Sequence, residues 1–262
     1  MRSAIAVLGL LASTGLASAA DLGGPIYGGS MKDDFVPPPP IWTGFYFGGH
    51  VGYGWGDTDA LTIIRELDGS IPMVPPDYTQ PGIARNSYDV DGWLGGLQLG
   101  YNYQSGRLVI GIEGDYSWSD VDGSFVYDRV TGPHKRAGGG IDWLATIRGR
   151  AGFTFDNVLV YGTAGVAFTK LKGYINNLYD LGEGIIPGDR GTASTTETGW
   201  VAGGGVEIAF TQNVTLRGEY LYFDFSDNSG TIKSPNWQHT VDADTEVKLH
   251  TLRLGLNYKF GG

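Results

Sequence analysis

From Thr43 onward the chain repeats one pattern: about ten to fifteen residues of period-two alternation, then a break, as transmembrane β-strands do. The alternating segments are 43–56, 91–104, 107–119, 141–155, 158–171, 198–210, 214–226 and 247–260. Alternation sorts side chains onto two faces. One face of the first segment carries Phe45, Phe47, Val51, Tyr53 and Trp55, and the other Gly44, Tyr46, Gly48, His50 and Gly52. The last segment splits the same way, with Leu252, Leu254, Leu256, Tyr258 and Phe260 on its apolar face. The breaks alternate in length. Ser105-Gly106, Asp156-Asn157 and Thr211-Gln212-Asn213 read as tight turns, whereas 57–90, 120–140, 172–197 and 227–246 read as long polar loops. The pattern predicts an all-β chain: a closed, eight-stranded, antiparallel, up-and-down transmembrane barrel with short periplasmic turns and long outer loops.

With strands running alternately up and down, Trp55, Trp93, Trp118, Trp143 and Trp200 fall at the long-loop rim. Tyr101, Tyr103, Phe153, Phe155, Phe210, Tyr258 and Phe260 fall at the other. Two aromatic girdles separated by aliphatics suit the two interfaces of a bilayer. A soluble sandwich core would not sort its aromatics by height.

The opposite face holds Glu113, Asp115, Arg148, Arg150, Glu207, Arg217, Glu219 and Arg253, acids and arginines in equal number. A barrel of this strand number is filled by its own side chains. Charges so confined must pair, because a partnerless one costs several kcal/mol. The expectation is a polar plug rather than an open channel, with inward glycines such as Gly48, Gly52 and Gly100 leaving room for the long side chains.

Composition adds an address. Arg2, the apolar stretch from Ile5 to Leu16 and the small residues Ala17-Ser18-Ala19-Ala20 predict a cleaved signal peptide over 1–20. Cleavage after Ala19 or after Ala20 fits equally. Residues 21–42, with Pro37-Pro38-Pro39-Pro40, read as a proline-rich periplasmic lead, and 43–262 as the barrel. No later stretch is long and apolar enough for a membrane helix. The net charge of -10 excludes nucleic acid as a partner, and the absence of Cys is compatible with an oxidising compartment. The expected location is the cell outer membrane, with the lipid bilayer and lipopolysaccharide as surroundings.

Candidate chemistry is sparse. His50, His134, His239 and His250 are read as scattered over two strands and two loops without metal-ligand spacing, so no metal, cofactor or catalytic residue is assigned. Asp224 and His250 are the nearest approach to a hydrolytic pair, and read more simply as polar rim. Acidic stretches such as Asp57 to Asp59 and Asp242 to Glu246 read as solvated loop surface.

Several stretches carry a resemblance. The lead running into Trp42-Thr43-Gly44-Phe45-Tyr46-Phe47-Gly48-Gly49, then Val51-Gly52-Tyr53-Gly54-Trp55-Gly56, resembles the opening of the porin-like outer-membrane proteins of alphaproteobacteria, the major outer-membrane proteins of rhizobia and brucellae. Gly95-Gly96-Leu97-Gln98-Leu99-Gly100-Tyr101-Asn102, Thr146-Ile147-Arg148-Gly149-Arg150-Ala151-Gly152 and Gly199-Trp200-Val201-Ala202-Gly203-Gly204-Gly205-Val206-Glu207, followed by Arg217-Gly218-Glu219-Tyr220-Leu221-Tyr222, are similar to later strands of that family. The resemblance implies a barrel like the membrane domain of outer membrane protein A, a role in envelope integrity and surface interaction, and host or surface ligands at the loops. It also implies a C-terminal insertion signal for the barrel-assembly machinery, here Leu252, Leu254, Leu256, Tyr258 and Phe260, although Gly261-Gly262 follow the aromatic that usually ends such chains. The leading reading is a non-enzymatic structural barrel. Two alternatives stay open: a small or gated porin for hydrophilic solutes, and haemin-type ligand binding, with His134 and His239 as candidates, or an outer-membrane hydrolase.

Overall fold

The computed structural model describes residues 41–66, 73–74, 80–81, 83–127, 134–180, 185–232 and 239–260 of the 262-residue chain. The signal-peptide segment, most of the proline-rich lead and Gly261-Gly262 lie outside the described residues. Each alternating segment becomes one barrel strand. In chain order these are β1 (Gly44–Glu66), β4 (Ile83–Ser105), β5 (Leu108–Tyr127), β6 (His134–Phe155), β7 (Val158–Asp180), β8 (Ile185–Ala209), β9 (Val214–Ile232) and β10 (His239–Phe260). Between β1 and β4 a two-residue pair, β2 (Met73–Val74) and β3 (Gln80–Pro81), forms its own small sheet. The eight long strands pair antiparallel in the order β1-β10-β9-β8-β7-β6-β5-β4, and β1 returns to β4 to close the barrel. Closure satisfies every ladder group internally, the condition for strands to cross lipid. Val51 sits opposite Leu254 across the β1–β10 seam.

The turns expected at one rim are present, each tight for a local reason. Gly106 between β4 and β5 has φ +60°, free of cost without a side chain, and Asp156 between β6 and β7 has φ +53°, which a short polar residue tolerates. Between β8 and β9, the Phe210 amide donates to the Val214 carbonyl at 3.0 Å.

The other rim corrects the sequence reading. A tilted strand crosses the hydrocarbon in about 9–11 residues, whereas these strands run from 19 to 25 residues. Most of the residues read as long loops therefore continue the ladder: β1 extends to Glu66 and β10 begins at His239, with Asp59 opposite Glu246 between them. His134 and His239 open β6 and β10 instead of lying in loops. Backbone pairing continues because a polar strand wet on its outer surface still satisfies its ladder. What ends at the membrane boundary is the outward apolar pattern, the cue by which the segments were delimited. Two register shifts mark that boundary, between Trp118 and Val121 in the β5–β6 pairing and between Ile141 and Leu144 in the β6–β7 pairing.

Below the boundary the outward face is a lipid surface. Leu252, Leu254 and Leu256 are exposed on β10, with Leu254 at 61%, and Ile110, Ile112 and Ile147 are exposed on β5 and β6. Tyr101, Tyr103, Phe153, Phe155, Phe210, Tyr258 and Phe260 ring the lower edge, all exposed. Trp55, Trp93, Trp118 and Trp200 are exposed at the upper edge; Trp143 is half-buried, its ring 5.8 Å from that of Tyr116.

Candidate functional site

The interior is filled in layers, and the central one is built from the charges. Glu113 and Asp115 alternate on β5, Arg148 and Arg150 on β6, Arg217 and Glu219 on β9, with Glu207 on β8 and Arg253 on β10. All eight are buried, Arg148 to 1% and Arg253 to 0% exposure. Register brings them level: Glu113 lies directly opposite Arg148, Glu207 opposite Arg217 and Glu219 opposite Arg253.

The ion pairs join all eight into one network. Arg148 Nη2 donates to Glu113 Oε1 at 2.5 Å and to Asp115 Oδ2 at 3.1 Å, and its Nη1 lies 3.1 Å from Glu219 Oε1. Arg217 Nη1 donates to Glu113 Oε2 at 2.5 Å, Arg253 Nη1 to Asp115 Oδ1 at 2.9 Å and Arg150 Nη2 to Glu207 Oε2 at 2.7 Å. Arg150 Nη1, 3.8 Å from Glu113 Oε2, ties the Glu207 pair to the rest.

Neutral side chains complete the network; the sequence reading set Tyr46 and His50 on the inward face but gave none of these residues a part in it. Tyr46 donates to Glu113 Oε2 at 2.5 Å and Tyr161 to Glu219 Oε1 at 2.8 Å. The Arg150 guanidinium lies 4.0 Å from the Tyr161 ring centroid, and that of Arg253 5.5 Å from Phe223. Asn257 donates to Glu207 Oε1 at 2.9 Å and receives Gln98 Nε2 at 2.7 Å; Gln98 in turn meets His50 Nδ1 at 2.5 Å, and His50 Nε2 meets Ser117 at 2.8 Å. Each of these residues shares a face with the charges or with inward glycines, a parity signal that could have found them. A Cβ at Gly100 would collide with the Tyr46 ring, and one at Gly52 would come within 3.0 Å of Arg253 Cγ.

Apolar layers lie on either side. At the mouth with the short turns Trp42, placed with the lead by its sequence, is buried with Val109, Leu159 and Tyr161, and its amide donates to Gln104 Oε1 at 3.1 Å. On the outer side Leu144, Leu221, Phe223, Phe225, Val247 and Leu249 form a buried cluster with Val90, Val121, Ile141, Ala167 and Val201. Burial against this cluster pushes the Tyr88 phenol above its ordinary pKa, opposed by a hydrogen bond with Thr58. The sequence reading expected polar filling and missed this outer layer. Its signal is the parity of β9, where Leu221, Phe223 and Phe225 continue the inward row begun by Arg217 and Glu219.

The residues considered for hydrolysis face the other way. His250 is half-buried among Trp55, Tyr220 and Tyr222 on the outward face, its Nδ1 2.6 Å from Tyr220 Oη. Asp224 sits opposite Lys248, one register step away. Among the described residues no group of His, Cys, Asp or Glu is arranged to hold a metal ion.

Comparison with known proteins finds outer-membrane relatives over most of the chain. The "31 kDa outer-membrane immunogenic protein" of Brucella melitensis is 33% identical over 232 residues, covering 84% of each chain. The "22 kDa outer membrane protein" of Rhizobium leguminosarum bv. viciae is 29% identical, covering 86% of this chain and 81% of that one. Among solved structures, the outer membrane protein OprG from Pseudomonas aeruginosa superposes with a TM-score of 0.49 at 14% identity, covering 84% of this chain and 97% of that one. The model of the outer membrane protein beta-barrel domain matches residues 4–260. With the closed barrel, the lipid-facing wall and these relatives together, the chain belongs to the outer membrane protein beta-barrel domain family and resides in the outer membrane.

Proposed function

We propose that the chain is a closed, non-catalytic envelope barrel that strengthens the outer membrane and presents its outer strands and loops as an interaction surface. The observation that carries this reading is the filled lumen: the charged layer is capped by Trp42 and Val109 below and by Leu221, Phe223 and Phe225 above. An apolar constriction packed this tightly excludes water and dissolved ions. Residues 1–20 act as the export signal and 21–42 as a periplasmic lead. Leu252, Leu254, Leu256, Tyr258 and Phe260 present the signal read by the assembly machinery, and their exposure in one outward row supports that role. The word "immunogenic" in the Brucella relative's name is in keeping with an outer face accessible from outside the cell.

A second reading, a gated pore for small hydrophilic solutes, is favoured by the polar central layer. Arg217 Nε and Nη2 and Arg253 Nε and Nη2 are buried there without a protein hydrogen-bond acceptor, a cost that water entering the layer would relieve. A deletion strain separates the two. The envelope role predicts increased sensitivity to detergents and large antibiotics, restored by the full-length gene, with unchanged uptake of small sugars. Slowed sugar uptake through an otherwise intact envelope would favour the pore.

A further inference from the structure

Just above the outer girdle, where Trp118 and Trp143 lie opposite each other on β5 and β6, the barrel wall carries a depression of about 690 Å³ on its outward side. Its cause is local. Gly140 takes an outward position between Asp122 of β5 and Lys172 of β7, and the next outward position along β6 is Gly138. Neither tolerates a side chain. A Cβ at Gly140 would lie 2.7 Å from the Val121 carbonyl oxygen, and one at Gly138 would lie 2.9 Å from the Tyr174 hydroxyl. At half-buried Gly140, β6 presents backbone alone between two side-chain walls, while Gly138 is buried beneath the Tyr174 hydroxyl.

The walls are polar. Exposed Asp120 and Asp122 stand on the β5 side; Lys172 and Tyr174 stand on the β7 side, backed by Thr192 and Ser194 of β8. Lys172 is ion-paired with Asp142, the third carboxylate of the lining. Carboxylate acceptors, hydroxyls that both donate and accept, and a phenol ring beside a bare backbone floor suit the vicinal hydroxyls and the C–H face of a sugar ring. Three carboxylates against one ammonium exclude a phosphorylated or otherwise anionic sugar.

We propose that this trough is a binding site for an uncharged or amino-bearing saccharide, held with its ring over Gly139 and Gly140 and its hydroxyls on Asp120 and Asp122. The position at the top of the girdle is the level of the outer-leaflet headgroups, so both a glycolipid headgroup and a free saccharide reach it.

The test uses the full mature chain refolded in lipid nanodiscs, with the amide resonances of Gly139, Gly140 and Ser194 followed by NMR. Methyl glucoside, methyl glucosaminide and glucose 6-phosphate are the probes. The proposal predicts saturable shifts at these amides with the first two sugars and none with the phosphate. Asp122→Asn weakens binding about tenfold, the value of one hydrogen bond to a charged group. Ser194→Trp, at an exposed position and filling the trough, abolishes it, whereas Asp57→Asn on β1 leaves it unchanged. Retention of the folded-barrel gel mobility shows that each variant has assembled. Tighter binding of a nanodisc-embedded glycolipid than of the free glycoside assigns the site to headgroups, and equal binding assigns it to free saccharide; both keep the site. Absence of saturable shifts, shifts that survive both trough variants, or equal binding of the phosphorylated sugar would overturn it.

Discussion

Strand β9 changes character halfway along its length. In its lower half Thr215, Arg217 and Glu219 face inward and Leu216 and Tyr220 face lipid; in its upper half Leu221, Phe223 and Phe225 face inward and Asp224 lies on the outward row. The same exchange occurs on β10, where Arg253 and Asn257 are inside and Leu254 and Leu256 outside, until Val247 and Leu249 turn inward and Glu246 and Lys248 outward. The backbone and its parity are continuous through the change. What differs is the solvent outside the wall. Against lipid the apolar side chains belong outside, and between the Trp42 layer and the outer cluster the barrel is left with a polar interior, which must be paired. Against water the usual arrangement returns, and the interior becomes an ordinary apolar core.

The largest expected effect tests the lower half. Arg148→Ala leaves Glu113, Asp115 and Glu219 short of their shared cation, and should destabilise the barrel by about 3–5 kcal/mol in urea unfolding from lipid vesicles. In the upper half the same assay should give Leu221→Ala a loss of about 2–5 kcal/mol, set by the packing around the cavity. The outward faces sharpen the contrast. Leu254→Arg, at the middle of the lipid-facing row, should cost about 2–4 kcal/mol. Lys248→Leu, two turns of the pleat above that row and exposed, should leave the unfolding midpoint indistinguishable from wild type. An equal cost at Lys248 and Leu254 would mean that both positions face one solvent, and the division into halves would be lost.

The lower half was legible in the sequence because lipid imposes a strict rule on it. Phe45, Phe47, Val51 and Trp55 had to share a face, so strand number, pairing and the inward position of Arg148 and Glu113 followed from parity. The upper half was hidden by the same cue. Once Asp57, Asp89 and Asp122 occupy outward positions the apolar alternation disappears, although the ladder does not: Asp57 pairs with Asp89 and Asp91 with Asp122. Phe223 and Phe225 were available as an inward row, but only if the parity of Arg217 was carried past the girdle with its polarity reversed. The network geometry was out of reach for another reason. That Arg148 reaches acids on both β5 and β9 depends on how far a guanidinium extends across the lumen, which strand patterning does not encode.

The closed lumen is the central claim, and single-channel recording of the refolded chain in a planar bilayer tests it most directly, with the Arg148→Ala variant alongside. The wild-type barrel should be silent. Arg148→Ala, though less stable, should be silent as well, because Leu221, Phe223, Phe225 and Leu249 still close the outer half and Trp42 the mouth with the short turns. Steady channels in the wild type, or their appearance on removal of Arg148 alone, would contradict a barrel sealed by its apolar layers.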